Sequence, residues 1–173
     1  MQQISEENIC ARCSKINRTC CRIQPENAVN CFPLSGPEIK ELNRYINGEN
    51  PVLRTKNSVE FVRNLKKLIP DEKKAIVKEF PEDGTHQRLK TTEDGSCILL
   101  GDRGCILPWR ARPLYCRLYP FWVYKGKITL FDDPDCLALQ EKMQLRQILS
   151  LLGTTGQEIL DMHSEMLKQL NLK

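Results

Sequence analysis

Nine cysteines in a chain of 173 residues constrain this sequence more than any other feature, because they are grouped: five fall in the first 31 positions and three between positions 95 and 122. A thiol is cheap to bury and does little for a surface, so a grouped set of this size asks for a shared role. The length is enough for one domain with an ordinary core, and covalent staples are not needed for stability. Met1 leads into a polar Gln-Gln-Ile-Ser-Glu-Glu run, with neither a basic start nor an apolar stretch. No secretory signal is read there, and a reducing, cytoplasmic setting is expected. In such a setting thiols stay free to bind metal, and the odd count also speaks against a disulfide framework.

The spacing adds detail. Cys10-Ala-Arg-Cys13 has the two-residue interval with which a knuckle turns both sulfurs toward one ion. Cys20 and Cys21 are adjacent. Neighbouring side chains of an extended segment point to opposite sides, so this pair either splits between two sites or lines a polynuclear cluster. Cys97, Cys105, Cys116 and Cys136 complete a set of eight with Cys10, Cys13, Cys20 and Cys21. Metal ligands are commonly taken in fours, which leaves Cys31 as the spare, a buried structural thiol.

The charge follows the cysteines. Residues 10–23 hold Arg12, Lys15, Arg18 and Arg22 with no acid, and residues 97–122 hold Arg103, Arg110, Arg112 and Arg117 against Asp102 alone, while the whole chain carries only +4. Four thiolates on one Zn²⁺ or on a [4Fe–4S]²⁺ cluster leave a net negative site, for which these cations supply counter-charge. A solvated basic face is the plainer reading of the same residues. A pI near 8.6 is below the level at which basicity alone points to nucleic acid, so a nucleic-acid partner is not expected. The longest apolar stretches, 114–124 and 148–152, are short or interrupted by Arg117 and Pro120; no membrane association is expected.

Local patterns outline an α+β fold: a small Cys-rich metal-binding region with short β-hairpins, packed against several α-helices in a single domain, 1–173. Ser35 as N-cap with Glu38 three residues on starts a helix that ends near Asn47-Gly48. Residues 58–80 read as two helices divided at Pro70, with a lysine-rich solvated face. No cysteine falls between 32 and 96, so 36–80 reads as a helical insertion beside the metal region. A hairpin is expected over 85–92 and 96–100, then a Gly101–Gly104 turn that delivers Cys105. A short helix from Pro113 carries Cys116, whose sulfur would lie near free backbone N–H groups that favour the thiolate. A second hairpin is expected over 123–131. Asp135 is expected to cap a helix over 136–152, paired with another over 156–170. These two form a C-terminal helical pair, 136–173, whose apolar stripes are core or interface. His86 and His163 lie apart, with no nucleophile motif beside them, and read as surface or core residues.

The segment Gly95-Ser-Cys97-Ile-Leu-Leu-Gly101-Asp-Arg-Gly-Cys105, followed by Arg112-Pro113-Leu-Tyr-Cys116-Arg117-Leu-Tyr119-Pro120-Phe121, resembles the YkgJ-type cysteine-cluster family, a zinc- or iron-chelating domain. Cys10, Cys13, Cys20 and Cys21 match its opening motif, with six residues rather than two between Cys13 and Cys20. The resemblance implies a cysteine-ligated metal domain, iron–sulfur or zinc. A relative of that domain in flagellin lysine N-methylases also implies an enzymatic alternative.

Three readings of function result. The first is a metal-binding protein with a cysteine-ligated iron–sulfur cluster or Zn²⁺ at Cys10, Cys13, Cys20, Cys21, Cys97, Cys105, Cys116 and Cys136. Iron–sulfur is slightly preferred because adjacent thiols suit a polynuclear centre, and a redox role or a protein substrate would go with it. The second is a zinc-stapled module that only meets a protein partner. The third is an S-adenosylmethionine-dependent protein N-methylase, against which stands the lack of a Gly-rich strand–turn–helix nucleotide loop.

Overall fold

The computed structural model describes residues 9–16, 20–23, 31–46, 48–140 and 144–173, without the Cys10 side chain. The fold is α+β. Its strands form three separate two-stranded antiparallel sheets among the described residues. The sheets are joined through two hydrophobic cores rather than through a common ladder.

The smaller core gathers Leu34, Leu42, Val52, Leu99, Leu107 and Ala111. Leu42 is presented to it by α2 (Gly36–Tyr45), which begins as the sequence indicated: the Ser35 hydroxyl accepts from the Glu38 N–H, and the Glu38 carboxylate accepts in return from Ser35 N at 2.7 Å. The reciprocal pair satisfies two N–H groups that a helix start otherwise leaves open.

The larger core lies between α3 (Val59–Leu68), α4 (Lys73–Glu79), α5 (Leu114–Leu118), the β5–β6 hairpin (Phe121–Tyr124 and Lys127–Leu130) and α8 (Gly156–Gln169). Ser58 caps α3, which buries Phe61, Val62 and Leu65. A short 3₁₀ turn at Pro70–Glu72 separates α3 from α4, as Pro70 indicated. Phe121, Leu118 and Ile159 are wholly buried where α5, β5 and α8 meet, and Ile148 is wholly buried in the same core. Lys125 and Gly126 both take positive φ, 48° and 72°, the two-residue turn whose twist suits a tight hairpin. The hairpin runs from Phe121 to Leu130, two residues earlier at its start than the sequence indicated.

Three expectations need correction. Residues 85–92 do not form their main ladder with 96–100. Instead β2 (Thr85–Leu89) pairs with β1 (Val52–Lys56), from Val52↔Leu89 to Lys56↔Thr85, and only a Thr91↔Cys97 bridge remains of the expected hairpin. The inward residues of β2 are His86 and Arg88, so apolar alternation was missing from the sequence. The stretch 36–80 therefore contains a strand as well as helices. The helix expected over 136–152 is two, α6 (Leu137–Gln140) and α7 (Leu145–Leu151), because Gln144 is extended and caps α7 through Gln147. The third concerns the helix start: the first helical residue is Leu137, so Cys136 rather than Asp135 holds the capping position, its C=O accepting from Gln140 N at 2.9 Å.

His86 and His163 are both buried core residues. His86 stacks on Phe61 at 3.7 Å and bonds Asn57 at 2.8 Å. His163 meets Trp122 edge-on at 4.9 Å, and its Nε2 has no partner among the described residues. Burial, with the Lys173 charge adding to it, lowers the His163 pKa from 6.5 to about 4. The folded state thus excludes a proton that the unfolded chain takes up below pH 6.5. Stability from this site is full above that pH, is lost as pH falls toward 4, and changes no further below it. His163→Phe is expected to flatten this acid limb in urea-midpoint measurements between pH 7 and 4. An unchanged slope relative to wild type would remove His163 from the account.

Candidate metal centre

The cysteines come from seven separate segments of the chain. Cys10 and Cys13 lie on α1 (Ile9–Ser14), a helix rather than the expected knuckle. α1 packs against β4 (Gly104–Cys105), which carries Cys105, and against α6, which Cys136 caps. β4 pairs with β3 (Leu100–Gly101) across the Gly101–Gly104 turn that the sequence indicated. Cys20 and Cys21 sit in a turn rather than in an extended segment. That geometry brings the two thiols together, with Cys20 hydrogen-bonded to Cys21.

Main-chain bonds fix the Cys21 segment to the loop before Cys97. Cys97 N donates to Cys21 O at 2.7 Å, Ile23 N donates to Gly95 O at 2.8 Å, and Arg22 Nε donates to Ser96 Oγ at 3.1 Å. Cys116 lies on α5. Of the N–H groups expected to be free at that helix start, that of Leu114 is taken, donating to Glu38 Oε1 at 2.7 Å. One carboxylate therefore closes α2 and ties α5 to it. Glu38→Ala is expected to cost about 2 kcal/mol, the sum of a lost cap and an unsatisfied N–H. Glu38→Gln, which keeps an acceptor, is expected to lose less; equal midpoints for all three proteins in chemical denaturation would discount the bridge.

Cys13, Cys20, Cys21, Cys31, Cys97, Cys105, Cys116 and Cys136 all line one cavity of about 700 Å³. All eight are free thiols. Cys10, the remaining predicted ligand, shares α1 with Cys13, and its side chain is outside the described residues. Cys31, set aside by counting in fours, is on the same wall. No sequence spacing marks it, and its place depends on the tertiary fold. The sulfurs share a wall rather than a point: among the described residues no group of three or more Cys, His, Asp or Glu side chains forms a ready metal-holding set.

Their electrostatics divide the thiols into two neighbourhoods. Burial raises Cys116 well above its ordinary value, and the charges of Cys21, Cys97, Cys105 and Glu38 raise it further. Cys116 is nonetheless open to solvent-sized space because it faces the cavity, while protein encloses the cavity around it. Burial pushes Cys97 up to about 12, against a backbone N–H bond from Leu99, and Cys21, Cys105 and Cys31 add repulsion. Cys105 is raised by burial, opposed by a Leu107 N–H bond and by Arg112. Cys21 goes the other way, to about 7, because the Cys20 hydrogen bond, helped by Arg112, outweighs burial. In the second neighbourhood Cys136 is raised by burial and by Asp133 and Cys13, while N–H groups of Leu139 and Ala138 oppose this.

The donor set fits a thiophilic metal. Sulfur-only donors select zinc or iron–sulfur centres over hard cations, and mutual repulsion among neighbouring thiolates is relieved by a bound cation. The cations fit less closely with the expectation. Arg22 and Arg112 do line the cavity. Arg112 uses its guanidinium largely on the Leu107 and Cys105 carbonyls, at 3.1 and 3.4 Å, and rests over Trp109. Arg117 stands instead with Arg110 and Glu158, and Arg18 lies outside the described residues. The cation that sequence reasoning missed is Arg88. It is 8% exposed, and its Nη1 lies 3.8 Å from Cys31 Sγ and 2.9 Å from Leu89 O. Its charge lies beside Cys31, a thiol of the cavity wall.

Comparison of the chain with family models, with curated proteins and with solved structures gave no match. No helix among the described residues is long and apolar enough to cross a membrane.

Proposed function

We propose that this chain is a metal-binding protein with a cysteine-ligated centre in the shared cavity. The observation that carries the reading is the gathering of eight free thiols, from segments more than a hundred residues apart, on one cavity wall. The proposed ligands are Cys10, Cys13, Cys20, Cys21, Cys97, Cys105, Cys116 and Cys136. Mutual electrostatic influence groups Cys21, Cys97, Cys105 and Cys116 as one set of four. Cys13 and Cys136 influence each other, and Cys20 is hydrogen-bonded to Cys21, so the same wall serves either one polynuclear centre or two sites. The reading agrees with the resemblance to the YkgJ-type cysteine-cluster domain.

Iron–sulfur is the preferred occupant, because the Cys20 and Cys21 thiols meet one another in the cavity, as a polynuclear centre would use them. Bound there, such a cluster supplies one-electron transfer. The protein's own contribution is to hold the thiols in a partly buried wall, with Arg112, Arg22 and Arg88 placed to offset their charge.

A zinc-stapled module is the second reading. It is favoured by the way residues 20–23 cross to the loop at 95–97 on a few main-chain bonds, a junction that a metal would close. Iron, sulfide and zinc content per chain in protein purified without oxygen separates the two. Iron with matching sulfide and visible absorption supports the first, and colourless protein with stoichiometric zinc supports the second. Protein with neither would overturn both.

A further inference from the structure

Among the described residues, Cys31 is the one cysteine on the cavity wall that the proposed ligand set leaves out. Two fixed contacts place it. On one side Leu34 N donates to Gln87 O at 2.7 Å, which fastens the 31–34 segment to the edge of β2. On the other, Phe32 stacks on Tyr115 with ring centroids 4.6 Å apart and planes 2° from parallel, so the residue after Cys31 lies against the residue before Cys116. The thiol is thus held between β2 and α5, 8% exposed and on the cavity wall.

Arg88 of β2 supplies a second, independent observation. Its guanidinium is as buried as the thiol. Nη1 donates to Leu89 O at 2.9 Å and to Cys31 Sγ at 3.8 Å, and no carboxylate pairs with Arg88 among the described residues. A buried cation is costly unless an anion meets it, and a neutral thiol is only a weak acceptor. The group placed to become that anion is the Cys31 sulfur. In the metal-free chain burial raises this thiol above its ordinary value against the pull of Arg88. A thiophilic cation changes the balance: the S–H bond breaks, the S–metal bond forms and the proton leaves to solvent. We propose that Cys31 is a further ligand of the metal centre, its metal-bound thiolate accepting a charge-assisted hydrogen bond from Arg88. This rests on the metal reading above and adds to it one ligand and the cation that answers its charge.

The test uses the full wild-type chain, purified without oxygen and loaded with a spin-active isotope of cadmium, and reads cadmium–proton scalar couplings at the cysteine Hβ atoms by NMR. The expected result is a coupling at Cys31 alongside those at other cysteines. Couplings elsewhere and none at Cys31 overturn this inference and leave the metal reading standing, whereas cadmium that couples to no cysteine overturns both. The part played by Arg88 is read from competition for cadmium against a chelator. Arg88→Met is expected to weaken cadmium binding about 10- to 100-fold, the usual cost of losing a hydrogen-bond partner of a metal ligand, and Arg88→Lys, which keeps the charge, is expected to weaken it less. In a Cys31→Ala background Arg88→Met should weaken binding no further, since the bond it removes is already gone. Wild-type affinity in Arg88→Met, or an equal loss with and without Cys31, overturns the pairing. Should Arg88→Met not fold, Arg88→Gln, which keeps donors but no charge, carries the same expectation, and wild-type affinity in it counts against the pairing.

Discussion

Cys116→Ser is expected to lower bound metal and thermal stability together. Structural zinc sites contribute about 10–16 kcal/mol of apparent binding free energy, and in such sites that energy is folding energy. Losing one of four ligands should therefore remove several kcal/mol, far more than the exchange of sulfur for oxygen at a residue that faces open cavity space. The comparison that isolates the metal is a pair of melting curves with and without excess chelator. Wild type should melt well above the variant without chelator, and the two should converge with it. A Cys116→Ser protein that keeps full metal occupancy and the wild-type midpoint would mean that Cys116 is no ligand.

Phe121→Ala is expected to destabilise the fold by about 3–5 kcal/mol, the usual cost of emptying a large aromatic site, while leaving metal stoichiometry intact at low temperature. Phe121 is wholly buried at the head of β5, where α5 and α8 pack together. The surrounding Leu118, Ile148 and Ile159 are also fully buried, so the site has little freedom to collapse. Denaturant unfolding at constant metal load measures the effect, and a loss below about 1 kcal/mol would show that the core is looser than described. The contrast matters because one substitution should empty the centre and the other should weaken only its scaffold.

Much of this scaffold was legible in the chain because its signals are local. Ser35 with Glu38, Pro70 and Lys125-Gly126 each state a cap, a break or a turn within a few residues, and each is found where the sequence placed it. What was not legible depends on distance or on polar groups facing inward. β1 went unread because its partner β2 buries His86 and Arg88 in place of aliphatic residues. The bridge from Glu38 to Leu114 spans 76 positions, and it takes up one of the N–H groups expected to be free at the start of the Cys116 helix. The same holds for the centre. Spacing identified seven of the thiols now seen on the cavity, whereas Cys31 is brought there only by tertiary folding, as Arg88 is to its side.

The most direct test of the account is X-ray absorption at the metal edge of protein purified without oxygen. Cysteine ligation predicts a first shell of sulfur alone, at about 2.3 Å for either zinc or iron. A shell of nitrogen or oxygen near 2.0–2.1 Å, or a protein that binds no metal at all, would contradict it.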